Sequence, residues 1–315
     1  MRAIVLNDHV EVRDDRPSPT PAEGEVLVRV VRAGVCETDL QLIKGYMGFR
    51  GVLGHEFVGV AESGPFGGRR VVGEINCACW RCETCRRGLH THCPHRTVLG
   101  ILGHDGAFAD LIAVPQRNLH LVPDALSDDI AVFTEPVAAA CQIAMQVTVR
   151  PDDRVVVLGD GRLGNLCAQV LARLSRRVLV VGKHDEKLAL LLSMGIDTAR
   201  LSDPLDERSA DIVVDCTGSE TGLPTALKLV RPRGTIVLKT TVAGVQTMAW
   251  APFVIDEVTL VGSRCGPFDQ ALLALERGHV QVQPLISDRF TLSRGIDALA
   301  RAQTKPVLKV LLDVS

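Results

Sequence analysis

Aromatic residues are scarce, at 3% of the 315-residue chain, with 2 Trp, 1 Tyr and 8 Phe. That argues against stacking platforms for nucleic-acid bases or sugar rings. A surplus of one charge is missing as well: 35 basic residues stand against 37 acidic ones, a formal net charge of −2. Neither a nucleic-acid backbone nor an anionic membrane then has an electrostatic reason to be the main partner. No run of 18 apolar residues occurs, so no membrane span is expected. The opening MRAIVLNDHVEVRDDR alternates like a strand and lacks the basic-then-apolar pattern of a signal peptide. A reduced, cytoplasmic protein is expected. What is present suits a folded core, 46% hydrophobic and 23% charged, in a length that favours two domains.

Ten cysteines are the unusual feature. Cys79, Cys82, Cys85 and Cys93 form C-x2-C-x2-C-x7-C within one short loop, CACWRCETCRRGLHTHC. Four thiolates so spaced can enclose one tetrahedral zinc at about 2.3 Å per Zn–S bond. The ion then folds a loop that has no core of its own. A closed site of four sulfurs is structural and explains no chemistry. Cys77, two positions upstream, reads as a bystander or reserve ligand. Cys141, Cys167, Cys216 and Cys265 lie in apolar stretches and read as small core residues.

Up to about residue 125 short strands alternate with turns: 25–31, 57–61, 70–75 and 107–114. From about Glu135 apolar strands alternate with helical stretches. The strands are VVVLG at 155–159, VLVVG at 178–182, IVVDCTG at 212–218, TIVLKTT at 235–241 and VTLVGS at 258–263. A helix is expected over Leu163–Leu174, and another over 269–277. This is an α/β pattern with a parallel sheet covered on both faces. The closing VLKVLLDVS is expected to return to the first domain. Directly after VVVLG comes Gly159-Asp160-Gly161-Arg162-Leu163-Gly164. In a strand–turn–helix setting this G-x-G-x-x-G favours a dinucleotide, its pyrophosphate at the helix N-terminus. An NAD site usually carries an acid at the end of the second strand. Here that strand ends Gly182-Lys183-His184, which leaves room and two cations for a 2′-phosphate, so NADP is favoured over NAD. The alternative is that Asp185 takes the ribose.

Cys36-Glu37-Thr38-Asp39, Gly54-His55-Glu56 and Glu135 in TEPVA each have an ordinary reading alone: a buried thiol, a core histidine, a helix start. Together, AGVCETD, LGHEFVGV, the four-cysteine loop, TEPVA, GDGRLG and VDCTG stand in an order that resembles the zinc-containing medium-chain dehydrogenase/reductase family. The resemblance to its alcohol, sorbitol and sugar dehydrogenases covers essentially the whole chain. It implies a GroES-like β-rich catalytic domain, 1–134 and 266–315 with the zinc lobe at 77–93, and a Rossmann domain at 135–265. It implies two zinc ions per chain. Cys36, His55 and Glu135 would hold the catalytic ion, with Glu56 beside it as a further ligand or through water. Asp39 would orient the histidine ring, and Thr38 would take the substrate proton. Thr217 of VDCTG would join Gly159, Gly161, Arg162, Leu163, Gly164, Gly182, Lys183 and His184 at the cofactor. Arg264 matches an arginine near the substrate in sorbitol-dehydrogenase-like members.

Two features depart from the family pattern. Gln41 stands where many members end the proton relay with histidine, and the chain is a few tens of residues shorter. The expected activity is hydride transfer between NAD(P) and an alcohol, most simply a polyol, sugar or other polar secondary alcohol. A homodimer or homotetramer is expected. The competing readings are a zinc-free quinone or enoyl reductase and a non-catalytic NAD(P)-binding regulator on the same fold.

Overall fold

The computed structural model describes residues 1–240 and 248–315. Contacts divide the chain into two compact units. One is Met1–Glu135 with Ala271–Glu276 and Leu285–Ser315; the other is Pro136–Gln270 with Arg277–Pro284.

In the first unit the strand Glu25–Gly34 organises the largest sheet. It pairs antiparallel with Glu56–Ala61, Leu111–Pro115 and Lys309–Asp313. Val26, Val28 and Val30 face the core by simple alternation. A bulge between Val30 and Arg32 then shifts the buried positions to Ala33 and Val35. A one-residue shift of this kind swaps the two faces of a strand, and here it re-aims the segment that leads into Cys36. The C-terminal strand Lys309–Asp313 lies between Glu25–Gly34 and Ile286–Thr291, so the chain end does return to the β-rich unit.

In this unit two expected strands are shorter than the sequence suggested. The 107–114 strand begins only at Leu111, because the amides of Ala107 and Phe108 bond singly to the carbonyls of Gly54 and Leu53. The 70–75 strand ends at Gly73, after which the Glu74 amide turns to the Asn118 carbonyl.

The second unit is built on a six-stranded parallel sheet. Its order is Asp197–Arg200, Arg177–Gly182, Arg154–Leu158, Ala210–Asp215, Val230–Leu238 and Thr259–Gly262. Val155, Val156, Val157 and Leu158 are all buried, as a strand covered on both faces requires. The first crossover helix is Arg162–Ala172 and the second Asp185–Ser193. The fifth strand begins earlier than expected, at Val230, and stops at Leu238. It stops because the amides of Lys239 and Thr240 both turn to the Asp215 carbonyl. Thr241, the last residue of the expected strand, lies outside the described residues.

Candidate metal centres and nucleotide loop

The four lobe sulfurs are already gathered. Ligand atoms of Cys79, Cys82, Cys85 and Cys93 all lie within 4.8 Å of one another. Cys82 to Cys85 is 3.5 Å, Cys79 to Cys93 3.5 Å and Cys82 to Cys93 3.8 Å. Sulfurs at the corners of a tetrahedron with bonds of about 2.3 Å stand about 3.8 Å apart, so the lobe fits a zinc ion. Cys82 opens a single helical turn, Glu83–Arg86. The backbone amide of Arg81 is the main influence that lowers the Cys79 thiol to about 6. Burial pushes Cys85 up to about 12. Cys77 is outside the cluster, its sulfur 3.9 Å from both the Ile75 carbonyl and the Asn118 side-chain amide.

The second cluster is chemically mixed, with His55 and Glu56 buried and Cys36 half-buried. Ligand atoms of Cys36, His55 and Glu56 lie within 4.8 Å of one another. Cys36 caps the helix Glu37–Ile43, and its amide donates to Asp39 Oδ2 at 2.8 Å. Asp39 Oδ1 lies 3.3 Å from His55 Nδ1, off the line of a hydrogen bond, and neither atom has another hydrogen-bond partner. Both residues are buried. Burial lowers the affinity of the His55 ring for a proton, but Asp39 and Cys36 outweigh it and hold the ring above the usual histidine range. Sulfur, imidazole nitrogen and carboxylate around one point form a donor set that suits zinc. The Thr38 hydroxyl is 3.7 Å from the Cys36 sulfur. Gln41 donates instead to Glu37 at 2.8 Å, in an exposed pair.

Glu56 has a partner that sequence reading did not anticipate. Its carboxylate is ion-paired with Lys309, and both side chains are buried. Lys309 also donates to the Val35 carbonyl at 3.4 Å and lies 5.3 Å from the centre of the Phe133 ring. Gly34 makes the pair possible: a Cβ there would stand 2.4 Å from Glu56 Oε2 and 3.3 Å from Lys309 Nζ. Glu135 sits in the first turn of the helix Thr134–Gln146 and is not part of the 4.8 Å cluster.

In the second unit the glycine motif links Arg154–Leu158 to the helix Arg162–Ala172. Gly159 has φ +109°, and a Cβ on Gly164 would lie 1.9 Å from the Gly159 carbonyl. Only glycine permits a turn this tight. Gly161 precedes the helix with open space where a Cβ would be, Arg162 and Leu163 open its first turn, and the loop fits a pyrophosphate. Thr217 donates from its amide and its hydroxyl to Asp215 Oδ1, at 2.9 and 2.7 Å. Lys183 and His184 follow Gly182 at the end of Arg177–Gly182. Asp185 is ion-paired with Arg200, which stands in register beside Gly182 on the neighbouring strand. The Arg264 carbonyl accepts from Lys239 at 3.1 Å.

Comparison with known proteins gives a consistent result. Residues 22–124 match the alcohol dehydrogenase GroES-like domain, and residues 163–277 match the zinc-binding dehydrogenase domain. The chain is 28% identical to sorbitol dehydrogenase of Halalkalibacterium halodurans over 99% of each chain. An alcohol dehydrogenase from E. coli CFT073, solved with NADH, is 26% identical with TM-score 0.91, covering 100% of this chain and 99% of that one. A zinc-binding dehydrogenase from Sinorhizobium meliloti 1021, solved with NADP, shares the fold at TM-score 0.90 and 23% identity, over 99% of each chain. With both domain models matched in order and relatives matched end to end, the chain belongs to the zinc-containing medium-chain dehydrogenase/reductase family, as an NAD(P)-dependent alcohol or polyol dehydrogenase.

Proposed function

We propose that the chain is a zinc-dependent, NADP-preferring dehydrogenase of polyols, sugars or other polar secondary alcohols. Cys36, His55 and Glu135 hold the catalytic ion in this reading, and Cys79, Cys82, Cys85 and Cys93 hold a structural one. The observation that carries it is the convergence of Cys36 with the buried His55 and Glu56 beside Asp39. A zinc-free reductase has no use for such a set. When bound, zinc supplies a Lewis acid that lowers the pKa of an alcohol hydroxyl, so that hydride can leave for the nicotinamide.

The chain's own residues do the rest. Asp39, fixed by the Cys36 amide, sets the orientation of the His55 ring. The Lys309 ammonium ties the Glu56 carboxylate and keeps it beside the ligand set. The Thr38 hydroxyl, 3.7 Å from the Cys36 sulfur, takes the proton that the substrate hydroxyl gives up. Gln41, turned to Glu37 and unable to act as a base, leaves water as the end of the relay. Lys183 and His184 meet the ribose 2′-phosphate at the end of the second strand. Arg264 meets the substrate. The resemblance to a sorbitol dehydrogenase supports the substrate class.

Self-association is supported by the edge strand Thr259–Gly262 and by the exposed Trp250, Val254 and Ile255. Light scattering is expected to give two or four chains per particle. The test of function is metal analysis together with an alcohol and aldehyde panel, run with both cofactors and followed by nicotinamide absorbance. Two zinc equivalents per chain and turnover of a polyol with NADP are expected. A single equivalent that survives Cys36→Ala would leave only the structural site and overturn the catalytic one.

A further inference from the structure

The NADP reading rests on Lys183 and His184, and a third residue stands behind both. Asp160, the second residue of the glycine motif, is 6% exposed. Its Oδ2 accepts the backbone N–H of Lys183 at 2.6 Å and that of His184 at 2.7 Å. Nδ1 of His184 lies 3.0 Å from its Oδ1. One carboxylate from the pyrophosphate loop therefore holds the whole corner that follows the second strand.

The same carboxylate fills the place from which an NAD-type acid would grow. A Cβ on Gly182 would stand 2.5 Å from Asp160 Oδ2 and 2.6 Å from its Cβ. No side chain fits at 182 while Asp160 is in place. Nor can Asp160 easily stand in for that acid: it is buried and already accepts three N–H groups. His184 keeps 27% of its side chain exposed. With Nδ1–H donating inward to the carboxylate, its other ring nitrogen lies on the far side of the ring, where a 2′-phosphate would meet it. Asp185, the alternative acid for the ribose, is ion-paired with Arg200.

We propose that Asp160 is a positioning residue for cofactor selection: it excludes an acid at position 182 and holds the His184 ring to face a 2′-phosphate. This rests on the NADP reading above. The test measures the dissociation constants of NADPH and NADH by nicotinamide fluorescence. The proteins compared are the unsubstituted protein, Asp160→Ala, His184→Ala and the double variant. Asp160→Ala should weaken NADPH about tenfold, the loss of one charge-assisted contact, and move NADH less than about twofold. The double variant should be no weaker for NADPH than either single one, because Asp160 acts through His184. Asp160→Asn keeps the shape and an acceptor for the two N–H groups, so it carries the test if the alanine variant fails to fold. It should lower the NADPH preference about threefold or more, since the charge facing the ring is gone.

A parallel loss of both cofactors, or additive effects in the double variant, would reduce Asp160 to a structural role and overturn the proposal. An unchanged preference in the Asp160 variants, with His184→Ala still losing NADPH, would overturn it while leaving the NADP reading intact. Tighter NADH than NADPH binding in the unsubstituted protein would overturn both.

Discussion

Two donor clusters occur in the same unit, and they are held in opposite ways. Between residues 76 and 97 the only buried members of the hydrophobic core are Cys85 and Cys93. Regular structure there amounts to the single turn Glu83–Arg86, the 3-10 turn His90–His92 and the short pairing of Asn76–Cys77 with Thr97–Val98. Around Cys36, His55 and Glu56, by contrast, Val30, Ala33, Val35, Leu53 and Val58 are fully buried, and three strands run side by side. In the proposed reading an ion would take the place of a core in the lobe. In the mixed cluster the core and an internal ion pair hold the donors. The first arrangement suits a structural site, the second a site that must keep its shape through turnover.

The widest separation between the two should come from one cysteine in each. Cys36→Ser removes a proposed ligand from the core-held site. Losing the several kcal/mol that a metal supplies to a transition state lowers kcat/KM about a thousandfold or more. The thermal midpoint should move by no more than about 4 °C, the scale of 1 kcal/mol in a domain of this size. Cys93→Ser should instead lose one zinc equivalent and open residues 77–96 to limited proteolysis. Equal protease sensitivity in the two variants would erase the distinction drawn above. Next in size is Lys309→Met, which leaves the Glu56 carboxylate buried and unpaired, at a cost of about 3–5 kcal/mol in denaturant unfolding. Adding Glu56→Gln should restore most of that loss. A loss below about 1 kcal/mol would mean that the ion pair does not hold the site.

Much of this was legible in the sequence, and the exceptions share a cause. The lobe is local: its four sulfurs lie within fifteen consecutive residues, so spacing alone finds them. The glycine motif is local too, and the helix expected at Leu163–Leu174 is found at Arg162–Ala172. The parallel strands were readable because burial on both faces forces runs of Val and Leu. Lys309 was not readable. It reaches Glu56 across 253 residues, and in VLKVLLDVS it looks like any solvated lysine. Asp160 was missed for a different reason. It fills a variable position of a motif whose glycines draw the attention, and its role exists only once the second strand lies alongside. A possible signal was an acid inside the glycine loop together with a strand-end glycine in place of the usual acid. The strand breaks at Gly73 and Leu238 depend on one bond to Asn118 and two to Asp215, which no local pattern announces.

A smaller effect than Lys309→Met is expected at Asp39, which bears on the core-held site alone. Asp39→Asn removes the charge facing His55 Nδ1, and groups that orient metal ligands are worth about 10–100-fold in metal affinity or activity. Titration with a chelator should strip the catalytic ion first and leave the lobe's ion at the affinity of the unsubstituted protein. Loss of both ions together would show that the two sites are not independent.

The smallest expected effect sharpens the lobe side of the comparison. Cys77 is the fifth cysteine of the stretch, and if an ion organised the lobe merely by finding any four thiols, Cys77 could replace a neighbour. Geometry argues otherwise. Its sulfur faces the Ile75 carbonyl and the Asn118 amide and lies outside the set that converges within 4.8 Å. Asn118 also bonds the carbonyls of Glu74 and Asn76, each at 2.9 Å, so this contact belongs to the strand pair at the root of the lobe. Burial pushes the Cys77 thiol up to about 12, in keeping with a protonated side chain packed as a small apolar group. Cys77→Ala should therefore keep two zinc equivalents, hold kcat/KM within about twofold and change stability by about 1 kcal/mol or less, the ordinary size of a point substitution. Loss of an equivalent in this variant would mean that five thiols share the ion, and the lobe would then be an exchanging site rather than a closed one.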